Sequence, residues 1–200
     1  DSTVISIECI DEIAKLAGVG EQVAEVTAKA MRGEIAFNDS LTHRVACLEG
    51  VPVSHLNQIR DSIPIMPGIQ ALLTHLKQHN WKLAIASGGF TFFADHLKAR
   101  LGLDFTISNT LAVKNEQLTG KVEGEIVNAD VKARTVNALA EKWQIPAKQT
   151  VAMGDGANDL VMMAESALGV ACHGKPLVNE KADVAIRIGS LHSLLYFLDK

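Results

Sequence analysis

The sequence predicts an α/β protein: a doubly wound, mostly parallel sheet carrying an inserted helical-bundle cap. Three observations predict it. Beyond Ser62, apolar runs of strand length alternate with segments of helical period, the pattern of a parallel sheet covered on both faces. From Ile7 to about Arg60 the period is helical throughout. Between the two, Ser62-Ile63-Pro64-Ile65-Met66-Pro67-Gly68 packs two prolines into one short stretch, a boundary signal. The expected division is a core of residues 1–8 and 62–200 and a helical cap of residues 9–61. The chain opens on Asp1-Ser2-Thr3 with no strand before it, so the first strand of the core is expected upstream.

The elements follow in order. Ile10, Ile13, Ala14 and Ala17 form an apolar stripe that stops at Gly18. Val23, Val26 and Ala30 repeat it before Gly33, and Phe37, Leu41, Val45 and Leu48 before Gly50. Leu56 and Ile59 mark a shorter helix after Pro52. Past the boundary, Ile69, Leu72, Leu73 and Leu76 predict a helix starting at Pro67. A strand is expected over residues 81–86, broken by Ser87-Gly88-Gly89, then a helix from Phe90 to Leu101 and a strand from Phe105 to Ser108. Residues 111–122 read as a hairpin turning near Asn115, and residues 130–143 as a helix. A strand from Thr150, a helix through Leu160, Met163 and Ala164, strands at 168–171 and 184–188, and a helix over 190–198 complete the alternation.

Composition narrows the function. Hydrophobic content of 48% and a formal charge of −4 describe an ordinary globular chain, and no basic run accompanies the pI of about 6.0, which argues against a nucleic-acid partner. No apolar stretch reaches membrane-spanning length. Cys9, Cys47 and Cys172 are scattered, which fits buried thiols in a reducing cytoplasm better than a disulfide framework. His75 and His79 share a helix face without a third ligand, and an exposed polar face is the simpler reading.

Chemistry concentrates in Thr150-Val151-Ala152-Met153-Gly154-Asp155-Gly156-Ala157-Asn158-Asp159. A carboxylate between glycines, after an apolar strand, sits where open α/β sheets bind ligands. Asp155 and Asp159 can hold a hard cation such as Mg²⁺, which needs only one or two carboxylates. A plain turn competes with that reading. A dinucleotide loop is disfavoured, because Asp159 occupies the place of the third glycine. Ser87 and Gly88 offer a hydroxyl and a backbone N–H for an anionic oxygen, and Lys132 adds a positive charge near a helix start. Together with a cation these groups suit a phosphoryl group.

In this order the motifs resemble those of the haloacid-dehalogenase superfamily of phosphatases, and more closely its phosphoserine-specific branch, over essentially the whole chain. Asp1-Ser2-Thr3 is similar to the second half of the family's Asp-x-Asp-x-Thr motif, Ser87 to the second motif, Lys132 to the third and Gly154 to Asp159 to the fourth. Glu8-Cys9-Ile10-Asp11-Glu12-Ile13, Phe37-x-x-Ser40-Leu41-x-x-Arg44-Val45 and Ser87-Gly88-Gly89-Phe90 resemble the phosphoserine branch. The resemblance implies hydrolysis of O-phospho-L-serine through an aspartyl-phosphate, with the nucleophile two positions before Asp1. It implies that Asp1 is the general acid and base, which requires a raised pKa, and that Ser87 and Lys132 are catalytic. It implies Mg²⁺ at Asp155, at the Asp1 backbone carbonyl and, through its waters, at Asp159. Glu8 would take the substrate ammonium and Arg44 its carboxylate, with Met31 and Phe37 walling the pocket and Gly88 and Asn158 contacting substrate. The alternatives are a phosphatase or phosphotransferase for another small phosphate ester, and a non-catalytic phosphoserine-binding module.

Overall fold

The computed structural model describes residues 1–198. Its elements in chain order are α1 (Cys9–Leu16), α2 (Gly20–Met31), α3 (Phe37–Ala46), α4 (Val53–Asp61), α5 (Ile69–Gln78), β1 (Ala84–Phe90), α6 (Thr91–Leu101), β2 (Phe105–Lys114), β3 (Gln117–Glu123), α7 (Ala129–Lys142), β4 (Val151–Gly154), α8 (Leu160–Ala164), β5 (Leu168–Cys172), α9 (Pro176–Lys181), β6 (Val184–Ile186) and α10 (Leu195–Leu198). The α/β class read from the alternation is the class observed. Among the described residues no helix is long and apolar enough to cross a membrane.

The chain forms two compact units. The first takes Asp1, Ile7–Pro64 and Ser87–Ile126. Its helices bury the stripes that define them: Ile13 and Ala14 of α1, Val23 of α2, Leu41 and Val45 of α3, Leu56 of α4, and Phe93 and Leu97 of α6. Each fully buried side chain of leucine or phenylalanine size contributes about 1.5–3 kcal/mol, so the stripes rather than helix propensity hold these short helices. β2 and β3 pair antiparallel with Lys114 opposite Gln117. The turn between them has Asn115 and Glu116 both left-handed, at φ 52° and 59°, the conformation that matches strand twist in a tight hairpin.

The second unit takes Ser2–Ser6, Ile65–Ala86 and the chain from Val127 onward. Its sheet has the order β4-β5-β6 and is parallel, with Val151 opposite Leu168 and Val170 opposite Val184. Ala152, Ala171, Met162, Met163 and Val178 form a core cluster against that sheet. Ile5, fully buried, bridges Ile65. The Asn128 side chain caps α7 by accepting from the Val131 N–H at 3.1 Å.

Five boundaries differ from the expectation. The helix expected from Pro67 starts at Ile69, because Gly68 before it is left-handed at φ 80° and a side chain there would sit 2.5 Å from Ser190 Oγ. The strand expected at 81–86 starts at Ala84, since the Trp81 N–H is spent closing α5 on the Leu76 carbonyl at 3.0 Å. It then runs through Ser87-Gly88-Gly89 instead of breaking there, because pairing with β2 outweighs the poor strand propensity of glycine. The strand expected at 184–188 ends at Ile186, and the last helix opens as a 3₁₀ turn over Leu191–Leu194. Helix α9 is an addition to the expected elements, although Pro176 at its first position is a helix-start signal.

Candidate active site

The first unit assembles one group of the expected residues. The Asp1 Oδ2 accepts the backbone N–H of Cys9 at 3.0 Å, at the start of α1, where N–H groups lack helical partners. Ser87 Oγ accepts the Gly89 N–H at 2.9 Å. A β-carbon built on Gly89 would lie 3.1 Å from Ser87 Oγ and 3.3 Å from Asp1 Oδ2. Asp1, Ser87 and the Gly88–Gly89 peptide are therefore packed together, and glycine at 89 is what allows it.

The same unit carries a charged cluster. Glu8 is the exposed residue before α1, and Arg44 lies half-buried in the last turn of α3. Burial pushes the Arg44 guanidinium below its usual range, while Asp11 and Glu8 pull it back up. Burial, then the Glu8 charge, raises the Asp11 carboxyl, against the opposing pull of Arg44. Asp11 carries no role in the motif reading, although it stands three residues after Glu8 on the same helix face. The Arg44 side chain makes one long hydrogen bond, Nε to the Ser40 carbonyl at 3.4 Å, and no ion pair within 4.0 Å among the described residues. Phe37 is half-buried at the start of α3, whereas Met31 ends α2 with 71% of its surface exposed.

The second unit assembles the other group. Lys132 lies in the first turns of α7, and its Nζ donates to Asp159 Oδ1 at 2.8 Å, with the two side chains only 7% and 9% exposed. The other oxygen, Asp159 Oδ2, accepts the Asp155 N–H at 3.1 Å and the Gly156 N–H at 3.0 Å. Asp159 thus turns inward and fixes the loop that presents Asp155. The glycines make room for this: a methyl on Gly154 would lie 2.4 Å from the Asp159 carboxyl carbon, and one on Gly156 2.6 Å from Asn158 Oδ1. Asp155 Oδ1 accepts the Thr3 hydroxyl at 2.9 Å, and its backbone carbonyl accepts the Lys175 N–H at 3.1 Å. The Asp155 carboxylate stands just beyond the C-terminal end of β4, the edge at which parallel sheets take ligands.

The Asp155 carboxylate is an oxygen donor, and the Thr3 hydroxyl beside it is another. Among the described residues no group of three His, Cys, Asp or Glu side chains is arranged around one metal. An ion here would lean on one carboxylate, backbone oxygen and water, which suits Mg²⁺ and argues against zinc. His75, half-buried in the last turn of α5, stacks at 4.3 Å on His79, the exposed residue that follows the helix.

The family model of haloacid dehalogenase-like hydrolases matches residues 1–166. The phosphoserine phosphatase of Vibrio cholerae is 52% identical over 99% of this chain, which spans 60% of that relative's length. A substrate-bound phosphoserine phosphatase complex superposes with a TM-score of 0.92 at 38% identity, covering 98% of this chain and 94% of its own. A phospho-aspartyl intermediate analogue of phosphoserine phosphatase matches with the same score, identity and coverage. This chain belongs to the haloacid dehalogenase-like hydrolase family.

Proposed function

We propose that this chain is the catalytic part of a Mg²⁺-dependent phosphatase that hydrolyses O-phospho-L-serine to L-serine and phosphate. The observation that carries the substrate is Arg44. A half-buried guanidinium with one long hydrogen bond and no ion pair among the described residues is costly unless a ligand completes it. A substrate carboxylate does so with two parallel bonds, and Glu8 beside it takes the ammonium. The likeness to a phosphoserine phosphatase solved with substrate bound supports the same reading. Helices 9–61 act as the cap that reads the amino acid, with Phe37 and Met31 covering it when substrate is bound.

In this reading the attacking carboxylate precedes Asp1 and forms an aspartyl-phosphate, as the intermediate analogue of a relative supports. Asp1 gives a proton to the departing serine oxygen and then takes one from the attacking water. Ser87, the Gly88 amide and Lys132 hold the phosphoryl oxygens, and Asn158 contacts substrate. Asp155 and the Asp1 carbonyl would hold Mg²⁺, with Asp159 acting through the loop and the metal's waters. The ion would supply charge neutralisation at the phosphoryl oxygens. Three unpaired thiols support a reducing, cytoplasmic setting.

The test is selectivity. Arg44→Ala should lower kcat/KM for O-phosphoserine about 100-fold, the cost of losing a buried charged partner, and change an aryl phosphate less than about threefold. Equal losses on both substrates would remove the substrate assignment. A wild-type chain that binds phosphoserine without turnover in Mg²⁺ would make it a binding module.

A further inference from the structure

The Ser87-Gly88-Gly89 segment is held by a residue outside every motif named above. Asn109, on β2, is 1% exposed, and its Nδ2 donates to the Gly88 carbonyl at 2.8 Å. The peptide joining Gly88 to Gly89 is planar and trans, so its C=O and N–H point in opposite directions and fixing one fixes the other. The N–H of that plane belongs to Gly89 and donates to Ser87 Oγ at 2.9 Å. One peptide is thus gripped at both ends, by an asparagine amide and a serine oxygen. A hydroxyl oxygen that accepts a backbone N–H still has its own proton to give, and that proton must point away from the donor. The plane also lies against Asp1, since a methyl on Gly89 would come within 3.3 Å of its carboxylate.

We infer that Asn109 is a positioning residue of the phosphoryl subsite. Acting through the Gly88–Gly89 peptide, it aims the Ser87 hydroxyl at a phosphate oxygen without touching substrate itself. A buried side-chain amide is otherwise an expensive choice on a strand, where leucine would fill a similar volume with no polar group to satisfy. The inference rests on the reading of Ser87 as a phosphate ligand.

The probe is inorganic phosphate, measured as a competitive inhibitor in the full-length protein. Asn109→Leu should weaken phosphate inhibition about tenfold, the scale of one lost hydrogen bond to a charged ligand. Asn109→Asp separates positioning from mere packing. Its ionised carboxylate cannot donate to the Gly88 carbonyl, whereas the protonated form can. Phosphate affinity in Asn109→Asp should therefore match Asn109→Leu at pH about 8 and recover relative to wild type below about 6, because burial at this position raises the new carboxyl. Because Asn109 acts through Ser87, Asn109→Leu added to Ser87→Ala should cost little beyond Ser87→Ala alone. Affinity in folded Asn109→Leu within about twofold of wild type, less than a typical hydrogen-bond loss, would overturn the inference. So would losses that multiply in the double variant. If Asn109→Leu does not fold, the pH comparison in Asn109→Asp decides by itself, and no recovery overturns the role. A wild type that neither binds phosphate nor turns over esters sinks the functional reading instead.

Discussion

Asp1 in the first unit and Asp155 in the second are both carboxylates beside glycine, yet their surroundings are built from different forces. Asp1 is oriented by a neutral backbone N–H and packed against a neutral peptide. Asp155 accepts a threonine hydroxyl, and its loop is shaped by a buried Lys132–Asp159 ion pair. Single hydrogen bonds contribute about 0.5–1.5 kcal/mol, or about 1.5–3 where a carboxylate accepts, and fail one at a time. A buried ion pair fails as a unit, because removing one partner strands the other charge. The first group should therefore tolerate substitutions that the second does not.

The largest effect expected from that contrast is in Lys132→Met. It leaves the Asp159 carboxylate buried without its cation and should cost about 3–5 kcal/mol of stability, read as a shift in the urea midpoint. The pair Lys132→Met with Asp159→Asn, whose amide oxygen can still accept the two loop N–H groups, should regain part of that stability while activity stays lost. If the single variant is as stable as wild type, the ion pair does not hold the loop. Ser87→Ala in the first unit should by contrast change stability by less than about 1 kcal/mol, while lowering kcat/KM for any phosphate ester.

Gly154→Ala should come next. Its methyl would meet the Asp159 carboxyl carbon at 2.4 Å, an overpacking cost of about 1–3 kcal/mol, and activity should fall with it. Gly18→Ala is the control: it has nothing within 4 Å but a left-handed φ of 73°, so it costs about 1 kcal/mol of backbone strain. Equal activity losses in both would mean that the tight fit at Gly154 is incidental.

The smallest effect is in pH. Burial pushes the Cys9 thiol from its ordinary 9.0 up to about 12, and burial followed by the Asp155 and Asp159 charges does the same to Cys172. Both are acids whose folded pKa is raised. Below pH 9 their contribution to stability is complete, and it is lost as pH rises toward 12, because the unfolded chain gives up these protons first. Cys9→Ala and Cys172→Ala should each flatten the fall of the melting temperature across that window. An unchanged slope in both would show that the thiols do not drive it. In the native protein Cys47, only half-buried, should be alkylated ahead of the other two.

Much of this was legible in residue order. The stripes ending at Gly18 and Gly33 marked α1 and α2, and the hairpin turn at Asn115 follows from local backbone preferences. The loop from Gly154 to Asp159 was legible as a tight strand-to-helix turn and a candidate ligand site, because its glycines and carboxylates are neighbours in the chain. The passage of β1 through Ser87-Gly88-Gly89 was not, since the signal that keeps it a strand comes from β2. Asn109 was invisible for the same reason: its partner is 21 residues away.

The sequence alone determined the α/β class and singled out the carboxylates, lysine and serine to which we assign the chemistry, because helical period, glycine stops and motif spacing are local. Only the tertiary structure decided that Asp159 spends its charge on Lys132 and two loop amides, and that Asn109 grips Gly88. Burial and hydrogen bonding between distant segments set those roles, and residue order does not encode which buried polar group finds which partner.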